Sequence, residues 1–94
     1  MERHELIFTG HAVRRMAERG FRAAQVRWIV ESGEIIETDP EAFPYPSSLI
    51  LGFLGNMPLH VVVGVDADNK RCYVVTVYEP DPGKWSPDFK RRLG

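Results

Sequence analysis

Cysteine is almost absent from this chain: Cys72 stands alone. A single thiol makes no internal disulfide, and without a CxxC neighbour it offers no zinc site. Long apolar runs are missing too. No stretch approaches the roughly 20 apolar residues of a membrane-spanning helix, and the opening MERHELIF holds no run of signal-peptide length. A cytoplasmic protein with no membrane association is the expectation. There is no surplus of charge of either sign: 12 basic and 13 acidic residues leave a net charge of −1 and a pI near 6.3. Bulk nucleic-acid binders are usually strongly basic, so any anion site must be a local patch. No glycine-rich loop cradles a phosphate, and no nucleophile elbow occurs. Cys72 and the histidines lack metal-ligand spacing. DADNK opens like a calcium loop, but Arg71 stands where the turn glycine belongs and no glutamate stands at the twelfth position. Neither metal nor cofactor is expected.

What is there is ordinary globular composition, 44% apolar and 27% charged, in 94 residues. That is enough for one domain with one core, residues 1–94. ELIF (5–8) reads as a short edge strand, and Thr9 sits where an N-cap would. From His11 to Arg19, steps of about 100° put Ala12, Val13, Met16 and Ala17 on one arc. His11, Arg14, Arg15, Glu18 and Arg19 fill the other, and Gly20 ends the helix. A second helix, 22–32, has Ala23, Val26, Ile29 and Val30 on one face, a poor cap at Arg22 and a stop at Gly33. Trp28 lies off its apolar face.

Strand signals follow. EIIET (34–38) and LILGFL (49–54) flank a proline-rich loop, 39–48, and GNMP (55–58) makes a turn. LHVVVGV (59–65) and RCYVVTVY (71–78) are rich in β-branched residues and read as a central hairpin. Ser86, Pro87 and Asp88 suit the start of a short C-terminal helix, with Trp85 and Phe89 pinning it. The predicted architecture is α+β: a short strand and two helices packed on a three- to four-stranded antiparallel sheet.

Three places could carry chemistry. His11 is flanked by Arg14 and Arg15 one turn on. Imidazole can move a proton near neutral pH and guanidinium can fork phosphate oxygens. The competing reading is a solvated basic face with an Arg14–Glu18 pair. His60 sits among valines and shares a strand face with Val62 and Gly64. It either contacts substrate or is a satisfied histidine on a half-exposed sheet. Tyr78 ends the last strand. An odd loop around DADNK aligns it with His60 and Thr76, and an even one separates them.

HAVRRMAERG, ESGEIIE, LHVVVGVD and above all VVTVYEPDPGKWSPDFKRR resemble an uncharacterised bacterial family, the domain of unknown function DUF4258, over nearly the whole chain. That family is in turn distantly similar to the RelE/ParE-type toxin fold, BrnT-like toxins among its members. The resemblance implies helices before an antiparallel sheet, and metal-independent RNA cleavage by basic and polar residues on that sheet. No toxin motif maps residue by residue. On this reading the catalytic candidates are His11, His60 and Tyr78, and the substrate-binding candidates are Arg14, Arg15, Arg19 and Trp85. RNA is the expected ligand, in a toxin–antitoxin type system with an antitoxin-like partner. The alternative is a non-catalytic interaction module, a homodimer or a partner of an antitoxin-like protein, with Trp28, Trp85, Phe43 and Tyr45 as anchors. A small-ligand site beside His60 is a third reading.

Overall fold

The computed structural model describes residues 4–94. In chain order it contains β1 (Glu5–Phe8), α1 (Gly10–Arg19), α2 (Ala23–Ser32), β2 (Glu34–Asp39), β3 (Ser47–Leu54), β4 (Met57–Asp66) and β5 (Arg71–Tyr78). The fold is α+β, as the sequence pattern predicts. The sheet, however, has five strands in the order β1-β5-β4-β3-β2, and it is mixed. β2 to β5 form the expected antiparallel set, while β1 lies parallel to β5, with Leu6 beside Cys72 and Phe8 beside Val74. The open edge of β5 is thereby covered in part, and Leu6 and Phe8 pack against the core.

Thr9 ends β1 and starts α1 at once. Its Oγ1 accepts the Ala12 N–H at 3.2 Å and donates to the Val74 carbonyl at 2.9 Å, tying the helix start to β5. Gly20 closes α1 in the left-handed region at φ 73°. Only Ala12 and Met16 of the apolar arc are buried; Val13 is 53% exposed and Ala17 is exposed. The deficient cap of α2 is repaired from within the helix, because Gln25 Oε1 accepts the Arg22 N–H at 2.9 Å.

Both helices cover one face of the sheet. Val26, Ile29 and Val30 meet Ile50, Leu59, Val61, Val63, Val74 and Val77 there. Ile29 sits directly on Gly52, where a Cβ would come within 2.7 Å of its branches. The β3–β4 turn is tighter than the sequence suggests. Leu54 pairs with Met57, leaving a two-residue loop whose Gly55 takes φ 63°, as a type II′ turn demands.

Residues after Tyr78 form no helix; this corrects the expected C-terminal one. The Ser86 hydroxyl donates to Asp88 at 2.6 Å and accepts the Arg91 N–H at 3.1 Å, while Phe89 turns left-handed at φ 62°. Cap-type residues here close a turn on themselves. Trp85 and Arg92 meet as an isolated bridge, so the tail folds back as a clasp. It lies on the face of the sheet that the helices leave free.

Candidate functional site

The helix-free face carries the even-numbered residues of β4: His60, Val62 and Gly64. Which β5 residues join them depends on a bulge. Asp66 pairs with Arg71 and Val63 with Val74, but Val62 pairs with Thr76 and His60 with Tyr78. Val75 is the extra residue. The loop Ala67–Lys70 is even, and in a regular ladder it would set His60 opposite Val77. The bulge shifts the parity, returns Val77 to the core and aligns Thr76 and Tyr78 with His60.

His60 is fully buried. Its Nε2 lies 2.9 Å from the Phe89 carbonyl, which can only accept, so Nε2 carries the hydrogen. Nδ1 is then a bare acceptor, and the Tyr78 hydroxyl donates to it at 3.1 Å. Trp85 closes over the imidazole edge-on, 4.4 Å between ring centroids. Burial lowers the His60 pKa; the Phe89 carbonyl and the Glu37 charge oppose the shift, and Arg92 assists it. Burial raises the Tyr78 pKa, so the phenol keeps its proton. The pair is thus a neutral imidazole holding a neutral phenol, and Tyr78 is the member of the pair that lines a groove.

His60 is therefore not a half-exposed residue able to touch substrate; its polar contacts are the Tyr78 hydroxyl and the Phe89 carbonyl. Trp85 is 5% exposed and packs on His60, so it offers no free ring for stacking or for a partner. His11 reaches the same strand from α1. Its exposed ring places Nε2 3.1 Å from Thr76 Oγ1, two residues from Tyr78 and on the same sheet face. β1 stops beside Val74, which leaves the edge of β5 open for His11 to reach round.

The arginines do not converge there. Arg14 and Arg19 are exposed on α1. Arg15 Nη1 lies 3.6 Å from Glu18, the (i, i+3) partner, where the sequence suggests an Arg14–Glu18 pair. None of the three lines the grooves of the helix-free face. The guanidinium that does is Arg92. It forks onto Glu37 through Nε at 2.9 Å and Nη2 at 3.0 Å, and stacks 4.7 Å from the Trp85 ring centre. Lys90 Nζ meets Glu34 at 3.0 Å. These two contacts fasten the clasp to β2. Sequence reading missed Glu37 and Arg92, which are 55 residues apart. The available signal was an acid, Glu37, inside a strand, and the structure pairs it with apolar Leu49.

Two grooves adjoin on this face. A polar one of about 240 Å³ has Glu37, Asp39, Tyr78 and Arg92 on its walls. An apolar one of about 510 Å³ has Phe43, Pro44, Tyr45 and Tyr73 on its walls. Ser47 and Val62 line both. Among the described residues, no cluster of His, Cys, Asp and Glu could hold a metal ion, and no helix is long and apolar enough to cross a membrane. Cys72 is buried, and burial raises its pKa, so it is no nucleophile in this setting.

No curated protein and no solved structure matches the chain. Residues 8–79 match a family model, a span that contains His11, Glu37, His60 and Tyr78 and stops short of the clasp with Arg92. The chain belongs to the family described as Domain of unknown function (DUF4258).

Proposed function

We propose that the helix-free face binds RNA and cleaves a phosphodiester without a metal, as the distant resemblance to RelE/ParE-type toxins suggests. The single observation that carries this reading is the placing of two hydrogen-bonded pairs side by side on β5: His11 with Thr76, and Tyr78 with His60. In the reaction, the ribose 2′-hydroxyl gives its proton to the Tyr78 oxygen as the Tyr78 proton passes to His60 Nδ1. The Phe89 carbonyl, already on Nε2, steadies the imidazolium that results. The 2′-oxygen attacks phosphorus, and the 5′-oxygen leaves with a proton from the imidazolium form of His11. The products are a 2′,3′-cyclic phosphate and a 5′-hydroxyl end, with one proton owed back from His60 to His11 through solvent.

The lowered pKa of buried His60 supports its part, because only a neutral imidazole can accept. Arg92 flanks Tyr78 in the polar groove and is the nearest guanidinium for the charge developing on phosphate. Arg14, Arg15 and Arg19 extend a basic surface from His11 along α1, suited to flanking phosphates. Two helices followed by four antiparallel strands also agree with a RelE/ParE-like fold. A cytoplasmic toxin of this kind would have an antitoxin-like partner. The test is single-stranded RNA incubated with the protein in EDTA, with end-group analysis. Wild type is expected to give cyclic phosphate ends, and His11→Ala and Tyr78→Phe each to slow cleavage by about 10²–10⁴-fold. Intact RNA, or equal rates for wild type and His11→Ala, would remove the reading.

A second reading, an interaction module, is favoured by three exposed apolar rings: Phe43 at 95%, Trp28 at 56% and Phe53 at 43%. It predicts concentration-dependent association in sedimentation, weakened by Trp28→Ala. A strict monomer throughout would speak against a homodimer.

A further inference from the structure

The apolar groove beside Tyr78 has a composition the cleavage chemistry does not use. Its walls are Phe43, Pro44, Tyr45 and Tyr73, and its floor is Val62 and Gly64. No charged side chain lines it. Tyr45 and Tyr73 lie parallel, 5.3 Å apart and within 3°. Phe43 stands 95% exposed, with almost nothing packed on its ring. A glycine at position 64 keeps the floor low: a Cβ there would meet only Tyr45 Cβ, at 3.8 Å. At about 510 Å³ the groove is within the range of small-molecule sites. With no charged side chain it offers no counter-charge to a phosphate, and its aromatic walls suit a planar ring.

Position narrows the occupant. The apolar groove shares Ser47 and Val62 with the polar groove of Tyr78 and Arg92, so one ligand can lie in both. That ligand is flat and uncharged at one end and anionic at the other.

We propose that this groove is a nucleobase subsite, holding the base next to the scissile phosphate by stacking on Phe43 and the Tyr45–Tyr73 pair. The inference rests on the ribonuclease reading and names its substrate as single-stranded RNA. Every base has a π face, so stacking here selects for an unpaired base with little choice among bases. Duplex RNA, whose bases are already stacked, is excluded.

The test uses fluorescence anisotropy with labelled 2′-O-methyl oligoadenylate, which cannot be cleaved, and an abasic oligomer of the same backbone. Two variants probe the groove. Phe43→Ala removes an exposed ring that the fold does not need. Gly64→Val fills the floor with a residue that suits a strand. Wild type is expected to prefer the base-bearing oligomer by about tenfold or more. Phe43→Ala should lose about fivefold or more of its affinity for that oligomer, and none for the abasic one. Gly64→Val should erase the preference. Equal affinity of wild type for the two oligomers, or variants that bind like wild type, would overturn the subsite while leaving RNA cleavage standing. Wild type that neither binds nor cleaves RNA would overturn both. Sedimentation as a Phe43-dependent dimer would assign the groove to a second copy of the chain and overturn the subsite.

Discussion

Tyr78 donates its phenolic hydrogen to His60 Nδ1 across 3.1 Å because one bulged residue, Val75, turns the end of β5 over by one face. The contact should be measurable as a coupling. Tyr78→Phe leaves a buried imidazole nitrogen without its donor, which costs about 1–3 kcal/mol. His60→Leu removes the acceptor. In a double-mutant cycle read by chemical denaturation, the pair should couple by about 0.5–1.5 kcal/mol. Additive single effects would show that the hydroxyl and the ring do not hold each other in solution.

The bulge also makes a deletion tractable. Removing Val75 lets Thr76, Val77 and Tyr78 follow Val74 in an unbroken ladder, still opposite Val62, Val61 and His60. We expect the deletion variant to fold and to keep cross-strand contacts between His60 and Tyr78 by NMR. Its cost should fall on the Thr9 junction, where Oγ1 also approaches the Val75 carbonyl at 3.2 Å. Loss of the His60–Tyr78 contact in a folded variant would refute the register argument.

Stability should depend on pH through His60. Burial lowers its pKa in the folded state below the 6.5 of a free imidazole. The unfolded chain then binds the proton more readily. Stability due to this group is present above pH 6.5 and is lost as pH falls from there toward the folded value. Urea midpoints measured downward from pH 8 should decline, and the decline attributable to this residue should vanish in His60→Gln. An unaltered pH profile in that variant would sink the assignment.

Gly52 has a different role: it makes room. A Cβ at this position would stand 2.7 Å from Ile29 Cγ1 and Cγ2, on the core face under α2. Gly52→Ala should cost about 1–3 kcal/mol through forced displacement. Ile29→Ala alone should cost about 2–5 kcal/mol. Combined, they should cost less than their sum, because the methyl group enters the space Ile29 leaves. Full additivity in thermal or urea melts would mean that α2 does not sit on this glycine.

How far such features can be read from the sequence differs with their range. The amphipathic arc of α1, its Thr9 cap and the strands of β2 to β5 follow from local spacing, and they lie where the pattern puts them, except that β3 and β4 each begin two residues earlier, at Ser47 and Met57. The parallel partner of β1 does not follow, because Leu6 and Cys72 are brought together by a fold, not by a period. Loop parity around DADNK leaves the face of Tyr78 open, and the bulge that decides it adds one residue with no local mark beyond another valine in a valine-rich run. The clasp is opaque for a similar reason. Ser86-Pro87-Asp88 can start a helix or close a turn. The choice falls to contacts far away in the chain: His60 takes the Phe89 carbonyl, and Glu37 takes Arg92. For His11 the helix face was legible, but Thr76 as its partner was not.

Arg92 separates structure from function most cleanly. Its fork onto Glu37 is solvent-exposed, 66% for the arginine side chain and 36% for the glutamate, so the ion pair is worth at most about 1 kcal/mol and weakens with salt. Its stacking on Trp85 adds about 0.5–1 kcal/mol. Arg92→Ala should therefore lower the melting temperature only modestly, with a smaller difference at high salt. Arg92→Lys should keep most of the charge effect while losing the fork. If the polar groove acts on RNA, the same alanine variant should slow single-turnover cleavage by about 10²-fold or more, far beyond what its stability change implies, and the lysine variant should recover only part of the rate. A rate unchanged by Arg92→Ala would remove the guanidinium from the chemistry. A stability loss of several kcal/mol would instead make the clasp a structural element on which His60 and Tyr78 depend.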